Sequence, residues 1–412
     1  MSVSPAERTV VLIGGSGLIG GTLVHHFKNQ SRAGVRVFSP NSKELSLRVP
    51  DDIRRYFETV KPDAIVNCAI ATIDSDPQLT FEVTSRGAVY LGRVAQELNV
   101  PYIHFSSGAV LHSGDYVDED ARLPLGPDLP NYAKGKLVAE LALEHLHRTR
   151  GLDVTIIRLG IVYGAHDHKV QGFQHLLFSL VDQSMPFLMT RRGCAHSYTN
   201  ASKLPAFVSH VLEHRAEFSG QVYHFVDPEP VPLDRLILTI RSLLGTRTPR
   251  AIYVPEAMAR FLATVLIRVM RIFTRIGIEA RPPAELVFLK NFYESQILSS
   301  EKLRRSSFVD ERPDATIFSE LPELIEYYVR RWERLGLIEP RSRSGFEPES
   351  RADQFAHRPE RALASVLEEP EGTFLTQCSI VTTREGEDEP PDPARAEARL
   401  ASVGAGGDAP TV

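Results

Sequence analysis

The strand-like segments in the first half of this chain carry apolar residues at consecutive positions, not at every second one. "TVVLIG", "DAIVNCA", "YIHFSS" and "DVTIIRLG" all read this way. A strand with one wet face would alternate, so these strands must be covered on both sides. The stretches between them supply the cover. Leu18 to Asn29, Pro50 to Val60, Pro77 to Leu98 and Tyr132 to Thr149 read as amphipathic helices, with "VRVFS" as the second strand in order. Strands and helices in alternation predict a parallel sheet. Right-handed crossovers make it doubly wound, an α/β fold of Rossmann type.

After Gly164 the alternation loosens. Helices are expected from Phe173 to Asp182, Lys203 to His214, Ala257 to Glu279 and Glu320 to Leu335, with one strand at "QVYHFVD". The expected division is a Rossmann domain over 1–165, a smaller, mostly helical substrate-binding region over 166–339, and a tail over 340–412. Some segments of the middle region are expected to complete the sheet. Residues 341–412 hold 14 acidic residues, eight Arg and no Lys, so the tail carries a charge of −6 while the whole chain carries −5. Low apolar periodicity and a Glu/Pro/Gly/Ala-rich composition predict that the tail is largely disordered.

Charge and cysteine usage narrow the partners. A near-neutral body without a basic tract gives no reason to expect nucleic acid. Cys68, Cys194 and Cys378 lie far apart, which suits neither a metal site nor a disulfide framework and fits a reducing cytoplasm. The apolar run near the N-terminus passes straight into glycines, as a buried strand does and a signal peptide does not. No uncharged run approaches the ~18 residues of a spanning helix. A cytoplasmic protein is the expectation.

"VLIGGSGLIGG" places Gly14, Gly17 and Gly20 directly after a strand and at the opening of a helix. Glycines there let the backbone turn tightly and approach a pyrophosphate, which the helix N-terminus then meets. Gly14, Ser16, Gly17, Leu18, Ile19 and Gly20 are therefore the expected dinucleotide contacts. The end of the second strand carries neither sign that separates NAD from NADP. Ser39 and Asn41 are neutral, and Lys43 and Arg48 come later. Both cofactors remain open.

"NYAKGKLVAE" holds Tyr132 and Lys136 at a spacing of four. Twelve Tyr and nine Lys in 412 residues make a chance match easy, so the spacing alone decides nothing. On a helix the two share a face. A tyrosine works as an acid/base near neutrality only if its pKa falls from about 10 by roughly 3 units, about 4 kcal/mol. A neighbouring ammonium supplies part of that. Ser106 and Ser107 end the fourth strand, at the sheet edge where such folds bind ligands. One of them is expected to face the cofactor and the other to point away.

Four blocks in order, "GGSGLIG", "KPDAIVNCAIATIDSD", "VPYIHFSSGAVLHSG" and "NYAKGKLVAE" followed by "IIRLGIVYG", resemble an extended short-chain dehydrogenase/reductase of the NAD-dependent epimerase/dehydratase superfamily. Within it the chain is most similar to the dTDP-4-dehydrorhamnose reductase-like branch. The resemblance implies Ser107 as the hydroxyl donor, Tyr132 as general acid/base, and Lys136 as the residue that tunes Tyr132 and binds the nicotinamide ribose. It also lays Asn67, Cys68 and Ala69 along the cofactor, and has Asp63 fix the turn at the third strand.

The departures fall on the substrate side. Ser46 stands where relatives often have an acid, Thr84 where they have a proton-relaying Asn, and His196 and Asn200 where nucleotide-sugar branches have an Arg and an acidic pair. Arg192 and His196 are the candidate substrate residues. The block "SSGAV" offers no extra acid/base pair, which favours reduction or epimerisation over dehydration.

"AMARFLATVLIRVMRIFTRIGIE" confines Arg260, Arg268, Arg271 and Arg275 to an arc of about 80° on a helix. A buried helix with snorkelling arginines, a helix on an anionic membrane, and a subunit contact (as in a homodimer) or acyl-chain lid all suit that pattern. Three functions stay in view. The first is an NAD(P)-dependent reductase or epimerase of a sugar nucleotide or similar small molecule. The second is a non-catalytic dinucleotide-binding regulatory subunit, and the third a steroid- or lipid-type alcohol dehydrogenase at a membrane surface through 257–279.

Overall fold

The computed structural model describes residues 8–29, 35–73, 75–167, 171–182, 190–245, 255–258, 261, 264–265, 268 and 292–338. The expected tail over 340–412 lies outside the described residues, as do Arg260, Arg271 and Arg275 of the arginine stripe.

The sheet grows outwards from β1 (Arg8–Ile13), which pairs in parallel with β2 (Val35–Phe38) on one side and β3 (Ala64–Asn67) on the other. Beyond β3 come β4 (Tyr102–Ser107), β6 (Val154–Leu159) and β10 (Gln221–Phe225), all parallel, giving the order β10-β6-β4-β3-β1-β2. The chain reverses its direction of travel between β1 and β3, and such folds place ligands outside the carboxyl ends of the strands at that point. Asp63, just before β3, ties the opposite end: its Oδ2 accepts from Thr9 N at 2.7 Å.

Consecutive strand residues go to opposite faces, which explains the missing alternation. Val11, Ile13, Ile65, Tyr102 and Ile156 pack under α2 (Pro50–Thr59), α4 (Ala88–Leu98) and α5 (Asn131–Arg150), against Phe57, Leu91 and Leu143. Val10, Leu12, Val66, Phe105 and Ile157 pack under α1 (Leu18–Asn29) and α7 (Leu204–Glu213), against Leu23 and Phe207. Each such side chain contributes about 1.5–3 kcal/mol on burial, so both layers are strongly fixed to the sheet. β10 and α7 come from the later half of the chain and complete this unit. Two short helices, α8 (Arg215–Phe218) and α10 (Glu301–Arg304), add Phe218 and Leu303 to the second layer.

Pro77 to Leu98 does not run as one α-helix. After α3 (Pro77–Leu79), started by Asp76 accepting from Leu79 N at 2.9 Å, the chain widens into a π-helix over Thr80–Gly87 before α4 begins. The wide turn lies where α5 passes closest. A Cβ on Gly135 would come within 2.8 Å of Thr80 Cγ2, and Ser85 Oγ donates to Gly135 O at 3.0 Å. Gly135 sits between Tyr132 and Lys136, so this contact fixes the catalytic-looking helix from behind.

Short strands continue from the carboxyl edge of the main sheet. β5 (Gly114–Val117), β8 (Ala195–His196), β11 (Val231–Pro232) and β12 (Gln296–Leu298) form a second sheet in the order β11-β8-β12-β5, and β7 (Ile161–Tyr163) pairs with β9 (Tyr198–Asn200). Beside them α6 (Phe173–Val181), α9 (Leu233–Leu243) and α11 (Ile317–Arg334) share a separate core of Leu177, Ile237, Leu324, Tyr328 and Trp332. The helix expected from Glu320 starts earlier because Thr316 and Ser319 form a capping box.

Candidate active site

The glycine loop closes β1 and opens α1. Gly14 has φ +86°, and a Cβ there would lie 2.7 Å from Ala69 N, so the loop presses directly on the turn after β3. A Cβ on Gly20 would lie 2.2 Å from Gly14 O. Both glycines are demanded by the chain's own backbone. Gly17 differs: its Cβ would meet only Gly14 O, at an ordinary 3.6 Å. The protein itself leaves room at Gly17, which is where a pyrophosphate approaching the start of α1 needs bare backbone. The cradle fits a dinucleotide.

The end of β2 is compact. Ser39 Oγ would stand 2.0 Å from a Cβ on Gly15, so the hydroxyl packs against the loop. Asn41 Oδ1 accepts from Lys43 N at 2.9 Å, and Glu44 Oε2 accepts from Asn41 N at 2.9 Å. Arg48 is held by Glu82 at 2.6 Å.

The turn after β3 is built by Asn67. Its Oδ1 accepts from Ala69 N at 3.0 Å, and its Nδ2 donates to Tyr102 Oη at 2.9 Å. The Asn67 side chain therefore shapes the wall of the site, and Cys68 and Ala69 lie against Gly14. Burial pushes the Cys68 thiol well above its usual pKa and keeps it neutral.

The structure brings Ser107 and Tyr132 together. The Ser107 hydroxyl acts to lower the Tyr132 pKa, while burial, the larger effect, raises it above the usual value. Ser107 Oγ also accepts from Ala109 N at 3.2 Å, which fixes its rotamer at the end of β4. Ser106 points to the opposite face and is buried, its Oγ without a partner among the described residues. One turn along α5, Lys136 is 2% exposed and donates from Nζ to Phe105 O at 2.6 Å. Burial lowers its pKa to about 8, against the opposing pull of the Glu140 carboxylate.

Thr84, in the place of the relaying Asn, accepts from Ala71 N at 3.0 Å and so supports the turn after β3. Of the two candidate substrate residues, Arg192 lies exposed in the turn before β8. His196 is buried on β8 with Nε2 3.7 Å from Cys194 Sγ. Four residues that matter here escaped sequence reasoning: Gly135 on α5 with Ser85 packed behind it, and the fully buried pair of Glu140 on α5 and Arg158 on β6 beneath it. Arg158 carried a signal, being a lone cation in a strand that must be covered on both faces.

A family model now accounts for the order of these parts. Residues 10–193 match the NAD dependent epimerase/dehydratase family. No curated protein matches the chain in sequence. Among solved structures, the fold is shared with dTDP-glucose 4,6-dehydratase of Bacillus anthracis str. Ames, determined in complex with NAD. That likeness has a TM-score of 0.57 and 15% identity, over 79% of this chain and 98% of that one. The dTDP-4-dehydrorhamnose reductase of the same organism, in complex with NADP, gives 0.55 and 14% over 80% and 100%. UDP-glucose 4-epimerase of Thermus thermophilus, in complex with NAD, gives 0.55 and 17% over 78% and 99%. These likenesses establish a parallel, Rossmann-like sheet.

The two glycines separate fold from ligand. Gly14→Ala is expected to cost several kcal/mol, about 2–4, because it combines a left-handed φ with a backbone clash. Gly17→Ala is expected to leave the urea midpoint near wild type and to weaken NAD(H) binding about tenfold or more in a fluorescence titration. Unchanged binding by a folded Gly17→Ala would place the dinucleotide elsewhere.

Proposed function

We propose that this chain is an NAD(P)-dependent oxidoreductase or epimerase acting on a keto or hydroxyl group of a sugar nucleotide or similar small molecule, with Tyr132 as general acid/base. The observation that carries this reading is the meeting of Ser107 and Tyr132 at the carboxyl edge of β4, with the Lys136 ammonium one turn behind. The matched family and the dehydratase, reductase and epimerase folds support the general kind.

Gly14, Ser16, Gly17, Leu18, Ile19, Gly20, Cys68, Ala69 and Lys136 would hold the dinucleotide, NAD or NADP. The bound nicotinamide would supply the two-electron chemistry. Ser107 orients the substrate oxygen, and Tyr132 gives or takes its proton at the phenolic oxygen. In the chain alone burial holds Tyr132 above its usual pKa, so positive charge must lower it. Lys136 is the protein's own source of that charge. Lys136 loses its proton through a pKa of about 8, so turnover is expected to fall as pH rises through that value.

The raised Tyr132 pKa and the committed Thr84 hydroxyl favour a regulatory, non-catalytic subunit as the competing reading. Tyr132→Phe decides between the two. With a turned-over ketone substrate, the variant is expected to lose about 10²–10⁴-fold in kcat while still binding cofactor. Wild-type turnover by the variant would remove Tyr132 from the chemistry.

A further reading, an alcohol dehydrogenase of steroid or lipid type working at a membrane surface, draws on Met258, Phe261 and Val265. These stand 48%, 67% and 41% exposed at helical spacing in the arginine-striped segment. No helix among the described residues is long and apolar enough to cross a membrane. Co-sedimentation with phosphatidylglycerol vesicles is expected to retain the wild-type protein and to lose Phe261→Glu. Absence of wild-type binding removes the membrane reading.

A further inference from the structure

Tyr132, Lys136 and Glu140 stand four residues apart on one face of α5, one turn above the next. Glu140 and Arg158 are both 0% exposed. Arg158 reaches up from β6 with Nε 3.1 and 3.2 Å from the two carboxylate oxygens and Nη2 2.8 Å from Oε2. Its Nη1 donates to Glu119 O at 2.9 Å and Ala121 O at 3.2 Å. One guanidinium thus joins the sheet, α5 and the segment after β5, and every nitrogen has an acceptor.

Net stability does not explain this pair. Burying two charges costs about what their attraction returns, and apolar replacements of such pairs are often neutral or stabilising. The surroundings of Lys136 suggest another role. The titratable groups coupled to it are Cys68 after β3, His104 on β4 and Glu140 on its own helix, with Arg158 clamped to Glu140 and Tyr132 one turn above. The π-helix behind contributes the hydroxyls of Thr84 and Ser85. Burial keeps the Cys68 thiol and the Tyr132 phenol protonated and His104 neutral, the imidazole being pushed far below its usual range. The Glu140 carboxylate, one turn below on the same face of α5 and held by Arg158, is therefore the buried anion coupled to the ammonium, and its charge favours the protonated form.

We infer that Glu140 is a positioning residue for Lys136: clamped by Arg158, it keeps the Lys136 ammonium charged and seated on Phe105 O behind Tyr132. This rests on the acid/base reading of Tyr132 and Lys136 for its functional meaning. It also assigns the buried Arg158 a task in the site, since without the clamp the carboxylate would be free to take other rotamers.

Lysine NMR tests it without substrate or cofactor. The full-length chain labelled with ¹³C,¹⁵N-lysine has nine Lys side chains, and Lys136→Met assigns the signal in question. In wild type the Lys136 signal is expected to titrate near its depressed value of about 8. In Glu140→Gln, and in the apolar pair Glu140→Leu/Arg158→Met, it is expected to titrate at least one pH unit lower, a tenfold weaker hold on the proton. The apolar pair guards against a single variant that fails to fold. A wild-type titration in either folded variant overturns the inference. Failure of both variants to fold also overturns it, by showing a purely structural pair. The readout is the lysine itself, so this result and the turnover of Tyr132→Phe succeed or fail separately.

Discussion

A buried ammonium must be paid for, and the seat of Lys136 shows how this chain does it. Nζ rests on Phe105 O at 2.6 Å, between α5 and the carboxyl half of β4. The seat requires α5 to lie at one height on the sheet, with Tyr132 a turn above and Glu140 a turn below. Gly135 lets the π-helix approach from behind, and Arg158 anchors the lower turn from β6. Move the helix by a residue and the ammonium, the carboxylate and the phenol would all lose their partners together. The acid/base geometry and the packing of α5 are thus one constraint.

The dinucleotide cradle follows the same logic of close backbone approach. Gly14 and Gly20 serve the fold, because the turn after β3 and the loop itself fill the space a side chain would need. Gly17 is not demanded in this way, since a Cβ there would meet only Gly14 O at an ordinary 3.6 Å. Asn67 commits its side chain to the turn that Gly14 presses against, and Thr84 supports that turn from the π-helix. Loop and turn meet at the switch point between β1 and β3, where the strand order reverses.

Much of this was legible in the sequence. Consecutive apolar positions announced a doubly covered parallel sheet, and the expected strands and helices of the first half lie close to their observed bounds. The spacing of Tyr132 and Lys136 and the position of Ser107 at a strand end placed three groups that the structure brings near one another. What escaped has physical reasons. Strands of two to four residues, such as β8, β11 and β12, are too short to show a period. The π-helix has the composition of an α-helix and betrays itself only through its contact with Gly135. Glu140 carries no sequence signal, because burial and an Arg158 partner 18 residues away leave no local mark.

The central claim is that Tyr132 ionises within reach of neutrality once positive charge surrounds it. The direct measurement is a pH titration of phenolate absorbance in the NAD⁺-saturated protein, with Tyr132→Phe as the subtracted reference. The account predicts one phenolate appearing below about pH 9 in wild type and missing from the variant, and the same tyrosine silent over that range without cofactor. Identical titrations of wild type and Tyr132→Phe with NAD⁺ bound would contradict it.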